Sequence, residues 1–313
     1  MLFAGRIADR PRLVPLSLIL FSVAGMLPGF AASPLTLFML LLLLGVGTGM
    51  LDIAINARAS AIETGRGVRV MDGLHAAFSV GVLVGGIGAG LLRGAGAHPW
   101  AILLGVSAVL LVVAAANARD DALPAPASRR ASLERPLLVI GAVLAFAFLV
   151  ESGLETWTAL FLERGLGSSP AVSGLGPGLF AGSMAVGRLS AQRVERTSVV
   201  GRMVFAGVAS AAGLAVAGTA MHPAVALLGF VIAGGGLALS APTLFGAAGR
   251  LGGGAAISTV AVLGYLGFLG GPPLFGAVAG ATSLRGGFLF LCGAAVVVAA
   301  CAPALRRVGE TGA

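Results

Sequence analysis

Apolar residues in this chain do not alternate with polar ones. They run for about twenty positions at a time, break briefly, and run again. A helix needs about 20 apolar residues to cross roughly 30 Å of hydrocarbon. Ten stretches reach that length: 13–32, 35–57, 73–92, 99–117, 137–160, 171–187, 203–221, 223–245, 256–280 and 286–305. Most junctions are short and carry Pro, Gly or Arg. One is longer and polar, 118–136, with the sequence ARDDALPAPASRRASLERP. Its acids, prolines and arginines mark a linker. The pattern predicts an all-α polytopic membrane protein: a four-helix bundle over 1–117, a cytoplasmic linker over 118–136 and a six-helix bundle over 137–313.

Composition agrees with lipid as the solvent. The 313 residues are 58% hydrophobic and 10% charged, with a mean hydropathy of +1.02, where a soluble domain carries about 25% charged residues. Fifty glycines are scattered without a collagen period. Small residues of this kind let membrane helices approach closely. The net charge of +8 sets 20 arginines, with no lysine, against 12 acids, and the arginines form no block of the kind that binds nucleic acid.

Instead they sort by side. With 1–12, 58–72, 118–136, 188–202, 246–255 and 306–313 on one face of the membrane, seventeen of the 20 arginines lie there. Only Arg93, Arg164 and Arg285 fall on the other. The positive-inside rule makes the arginine-rich side cytoplasmic and puts both termini there, in the cell membrane.

A weak internal repeat crosses the linker. GRIADR at Gly5 returns as GRLSAQ at Gly187, and Gly81, Gly85 and Gly90 return as Gly267, Gly271 and Gly276 at an offset of 186. The second GR element follows two spans, whereas the first follows only Met1–Ala4. The repeat therefore predicts two further spans before residue 1 and a first bundle that is incomplete at four helices. Two related halves around a polar linker are an architecture of membrane transporters, with the substrate between the halves.

The segment GRIADRPR (5–12) resembles the cytoplasmic loop motif of the major facilitator superfamily, with Gly5, Asp9 and Arg10 in the matching places and Gly187 and Arg188 as its returning copy. The resemblance implies a gate at the cytoplasmic seam. Two further segments, GVGTGMLDIAINA (45–57) and LHAAFSVGVLVGG (74–86), are similar to the branch that contains fucose–proton symporters. There Asp52 and Asn56 take the places of an acid and an amide, and Phe78, Ser79 and Gly81 those of an aromatic–polar–x–Gly segment. Glu151 six residues before Trp157 also matches that branch. The resemblance implies transport of a small polar, sugar-like solute by alternating access, with proton coupling as a feature of that branch. An exporter of drugs or metabolites is the nearest alternative within the superfamily. The second alternative is an inactive truncated transporter or a non-transporting membrane scaffold.

Ionisable groups at membrane depth cost a few kcal/mol and normally face a cavity. Asp52 with Asn56, His75 with Ser79, and Glu151 with Glu155 each stand four residues apart on one helical face, and Trp157 and Tyr265 lie within apolar spans. These are the candidate substrate- or proton-binding residues. Structural parts are open to each: Asp52 against Arg58, His75 at headgroup level, Glu155 beside Trp157 at the outer interface, Tyr265 in packing. Cys292 and Cys301 fall on opposite sides of one helix, and no nucleophile–base pair, metal cluster or Gly-Lys-Ser/Thr phosphate loop is visible. The expectation is a monomeric transporter that is no enzyme. It needs no cofactor beyond a coupled proton, has lipid and a small-molecule substrate as its partners, and transports poorly as these 313 residues alone.

Overall fold

The computed structural model describes residues 12–66, 70–118, 134–191 and 198–306. Eleven α-helices carry almost all of them, and no strand occurs among the described residues. In chain order they are α1 (Leu13–Met26), α2 (Pro34–Arg66), α3 (Met71–Gly94), α4 (Pro99–Ala116), α5 (Arg135–Leu160), α6 (Pro170–Ser173), α7 (Leu175–Ala191), α8 (Val199–Thr219), α9 (Pro223–Leu237), α10 (Ser240–Ala281) and α11 (Leu284–Cys301). In hydrocarbon the backbone must satisfy its own hydrogen bonds, so the apolar runs become helices.

Their ends follow from local chemistry. Proline opens α2, α4 and α9, where a missing N–H costs nothing. Ser198 and Ser283 accept hydrogen bonds from the N–H groups of Gly201 and Gly286 at 3.1 and 3.2 Å, capping α8 and α11. Gly96 (φ 90°) and Gly167 (φ 67°) supply left-handed conformations at the turns after α3 and α5. Arg285 donates to the carbonyls of Gly218 and Ala220 at the C-terminal end of α8, where a helix favours positive charge.

The helices divide into two compact units, the first ending at Ala77 but also including the stretch from Leu92 through α4, the second formed by Phe78–Leu91 with α5 to α11. In the first, α1 packs on α2 and α4. Gly47 lets α2 touch α1, since a Cβ there would lie 3.0 Å from Phe21 Cα. Ser22 is buried and returns its hydroxyl to Leu18 O at 2.6 Å.

In the second unit α10 lies along α5, α8 packs on α9 and α11, and α7 packs on α9. Small residues set these seams. A Cβ on Gly213 would lie 2.5 Å from Gly229 O, and one on Gly207 2.7 Å from Ala295 O. Between the seams sits a group of fully buried rings, Phe161, Phe230, Phe275 and Phe288, with centroids 4.7 to 6.5 Å apart along the chain of contacts.

The sequence reading puts Phe78–Leu91 in the first bundle. The structure groups this stretch with the second unit because Gly86 and Gly90 lie against Gly174, where α6 gives way to α7.

Eight of the ten expected spans are long and apolar enough to cross a membrane among the described residues. The other two, 73–92 and 171–187, are helical but shorter in apolar length: Val80–Gly94 within α3, and the 17 residues of α7. The expected cytoplasmic loop at 246–255 is helical as well, inside the 42-residue α10. A straight helix of that length would extend about 63 Å, twice the hydrocarbon thickness. It is not straight. A Cβ on Gly249 would lie 3.3 Å from Ile257 Cδ1, although eight residues of straight helix advance about 12 Å. The axis folds sharply there, and the candidate spans divide at the bend into Pro223–Gly252 and Ala255–Ala281.

Candidate functional site

In the second unit, Glu151 and Glu155 stand one turn apart on α5, inside the apolar span Arg135–Gly165. Arg188, in the last turn of α7, places its guanidinium Nη2 3.2 Å from Glu151 Oε1 and donates a hydrogen bond to it. The two side chains are 30% and 14% exposed. Glu155 makes no such bond among the described residues, and it lies within electrostatic reach of both partners. The cluster thus sets two carboxylates against one guanidinium.

Aromatic groups stand next to it on α5. Phe148, one turn before Glu151, meets Tyr265 edge-on at 6.0 Å and Phe268 at 6.2 Å, both on α10. Trp157 donates its indole N–H to Pro272 O at 3.1 Å and stacks on Phe275 at 4.9 Å. Pro272 and Pro273 lie inside α10. They cannot donate to the carbonyls four residues back, which weakens the helix at that point. Gly276 leaves room for the indole, since a Cβ there would be 3.1 Å from it.

In the first unit Asn56 donates to Asp52 twice, to its carboxylate at 2.9 Å and to its carbonyl at 2.8 Å. Both side chains are half-buried. The structure therefore joins the two members of that sequence pair, and it joins Glu151 to Arg188. The side chains of His75 and Ser79 lie outside the described residues, as do Gly5, Asp9 and Arg10. Gly187 faces Ala238 and Gly235, where a Cβ would be 2.6 Å from the Ala238 methyl; here glycine permits the approach of α7 to α9.

The Major Facilitator Superfamily profile matches residues 1–253. The chain belongs to this superfamily. An uncharacterized MFS-type transporter of Yersinia pestis is 32% identical over 222 residues, 69% of this chain and 58% of the relative. Membrane protein MosC of Rhizobium meliloti is 30% identical over 293 residues, 90% of this chain and 71% of that protein. The chain thus spans only part of the length of these curated relatives. Its fold is also that of a bacterial homolog of the human lysosomal transporter Spinster in its inward-facing, unoccupied conformation (TM-score 0.73, 16% identity, 97% of this chain and 85% of that one). FucP in its outward conformation is a more distant match (TM-score 0.55, 13% identity, 96% and 84%). The protein is a multi-pass membrane protein with the two-bundle superfamily fold.

Sequence reasoning missed the partner of Glu151. It counted Arg188 among the cytoplasmic loop arginines and the returning GR motif, whereas the residue is helical and its side chain reaches α5. The available signal was the need of an intramembrane acid for a counter-charge. Phe148 was missed too, because one aromatic in a span with three phenylalanines and a tryptophan has no signal of its own.

Proposed function

We propose that the protein is a secondary transporter that moves a small polar solute by alternating access, with Glu151, Glu155 and Arg188 as its polar contacts in the second unit and Trp157 and Tyr265 beside them. The observation that carries this reading is the Arg188–Glu151 pair with a second carboxylate one turn away, within an apolar span of 31 residues. Charges at that depth are expensive in lipid and are retained where they meet water or substrate. Two acids and one base leave an unneutralised carboxylate, which can take a proton or a hydrogen-bond donor of the solute. Neutralising it lowers the cost of passing between states, the elementary step of proton-coupled rocking.

Asp52 and Asn56 would serve the first unit in the same way. Sugar-like solutes fit the alternation of acids, amide and flat aromatic faces. The cytoplasmic membrane, with both termini inside, fits the distribution of arginine.

The test needs no knowledge of the substrate. In a chain with Cys292 and Cys301 replaced by alanine, Glu155→Cys in native membrane vesicles should react with a membrane-impermeant, water-requiring thiol reagent. Leu228→Cys, on an exposed position of α9, should not. Equal silence at both positions would put the acids in lipid and leave a membrane scaffold as the better reading.

A further inference from the structure

One face of α5 carries unlike chemistry along its length. Phe148, Glu151, Glu155 and Thr158 are spaced by three, four and three residues, so they fall in one stripe. Phe148 belongs to an aromatic group, with Phe245, Tyr265 and Phe268 of α10 edge-on to it at 6.0 to 6.4 Å. At the other end Thr158 is fully buried, and its hydroxyl has no partner among the described residues. The two acids lie between.

The charges along the stripe do not balance. Arg188 lies 3.2 Å from Glu151 and is the cation within electrostatic reach of Glu155. The other described arginines of this unit are placed elsewhere. Arg285 is committed to the carbonyls of Gly218 and Ala220. Arg135, Arg164, Arg202 and Arg306 stand at helix ends, and Arg250 at the bend of α10. What completes the site therefore has to bring positive charge. A neutral polyol can donate hydrogen bonds to Glu155 but leaves its charge in place, which is costly at this depth. A proton removes the charge but makes no use of the rings. An organic ammonium does both, since it answers the carboxylate and aromatic faces attract cations. Glu151 and Glu155 follow Phe148 by about 4.5 and 10.5 Å along the helix axis, the length of a small organic amine.

We propose that the solute of this site is a small organic cation, held with its ammonium at Glu155 and its body against the rings of Phe148 and Tyr265. The inference rests on the transporter reading and narrows its solute from polar to cationic. Arg188 then has a selective part: by neutralising Glu151 it limits the site to a single positive charge.

Thermal unfolding of the full chain in detergent, at constant ionic strength, is the measurement. The probes are two matched pairs: choline with its uncharged carbon isostere dimethylbutanol, and phenethylammonium with phenethyl alcohol. Each cation should raise the melting temperature, and its neutral partner should not. Glu155→Gln should abolish the shift and Glu155→Asp should restore part of it. Phe148→Leu, which leaves both acids in place, should weaken binding about fivefold. A neutral partner or a hexose that stabilises as well as the cations would overturn the proposal. So would a shift that survives Glu155→Gln, or no shift with either cation. The reactivity of Glu155→Cys toward water-requiring reagents is a separate readout. If it is present while the cations fail, the site still meets water and the transporter reading stands without a cationic solute.

Discussion

Taken over 18 apolar residues of each, the spans Pro99–Ala116 and Arg135–Gly165 have the same mean hydropathy, 2.3, yet 11% of those residues are buried inside the protein in the first and 61% in the second. Hydropathy reports the solvent a helix tolerates. It does not report how many neighbours the helix has. α4 packs on α1 and is otherwise largely exposed among the described residues, with Val109 and Val112 63% and 70% exposed, whereas α5 is enclosed by α7, α10 and α11. The residues that record the difference are the glycines: Gly105 of α4 has no described neighbour within 4 Å of a Cβ, and Gly141 and Gly153 of α5 are filled by Leu263 and Leu291.

The largest effect expected from this contrast follows from adding bulk. Gly267→Leu drives a side chain into the Ala145 backbone, and backbone cannot move aside as a flexible side chain can. Overpacking of this kind costs about 3 kcal/mol or more, so the variant should be recovered largely as aggregate in size-exclusion chromatography. Gly105→Leu, at an equally apolar depth, should leave the profile and the melting temperature unchanged, within about 0.5 kcal/mol. A Gly105→Leu as damaging as Gly267→Leu would mean that α4 has a neighbour the comparison denies it.

A smaller effect is expected at the charged contact between helices. Arg188→Met leaves Glu151 without its guanidinium and Glu155 beside it. Breaking a fully buried pair costs about 3–5 kcal/mol; with Arg188 30% exposed, solvent screening reduces this to about 2 kcal/mol. Adding Glu151→Gln should restore much of the loss, since the unpaired charge goes. A double-mutant cycle on thermal unfolding in detergent measures the coupling, and additive losses would show that the 3.2 Å contact carries none.

How much of this was legible beforehand depends on what each residue type signals alone. The apolar runs and the four-residue spacing of Asp52 with Asn56 were visible because each is a pattern within one segment; most of the expected linker, 119–133, lies outside the described residues. The glycine repeat was visible as spacing, but spacing says nothing of which copy is covered. Arg188 was misplaced because an arginine at a span end satisfies the positive-inside rule equally well whether it faces water or turns inward. GRLGGG (249–254) has the composition of a loop, yet the chain there stays helical and bends; in a bundle such glycines allow a helix to bend while its neighbours hold it.

Between helices, a single hydrogen bond should count for less than an ion pair. Trp157→Phe keeps a ring against Phe275 and removes only the N–H that reaches Pro272 O. The expected cost is about 1 kcal/mol, read as a lower melting temperature. Cysteines placed on either side of Pro273 should also become more reactive as the weakened segment of α10 opens. A Trp157→Ala that melts no earlier than Trp157→Phe would show that the stack contributes nothing, against the aromatic packing of this unit.

The smallest effect belongs to the first unit. Asn56→Leu removes two hydrogen bonds, as many polar contacts as any substitution above, but both go to Asp52 on the same helix. Such contacts close within α2 whether or not α2 is docked, so the undocked helix loses them equally and the difference between docked and undocked states is small. Bonds inside membrane helices are measured against a reference state that also finds partners, and average about 0.6 kcal/mol. Asn56→Leu should therefore shift the melting temperature less than Trp157→Phe. A loss comparable with Arg188→Met would place Asn56 in a contact between helices, and polar groups would then hold the first unit as they do the second.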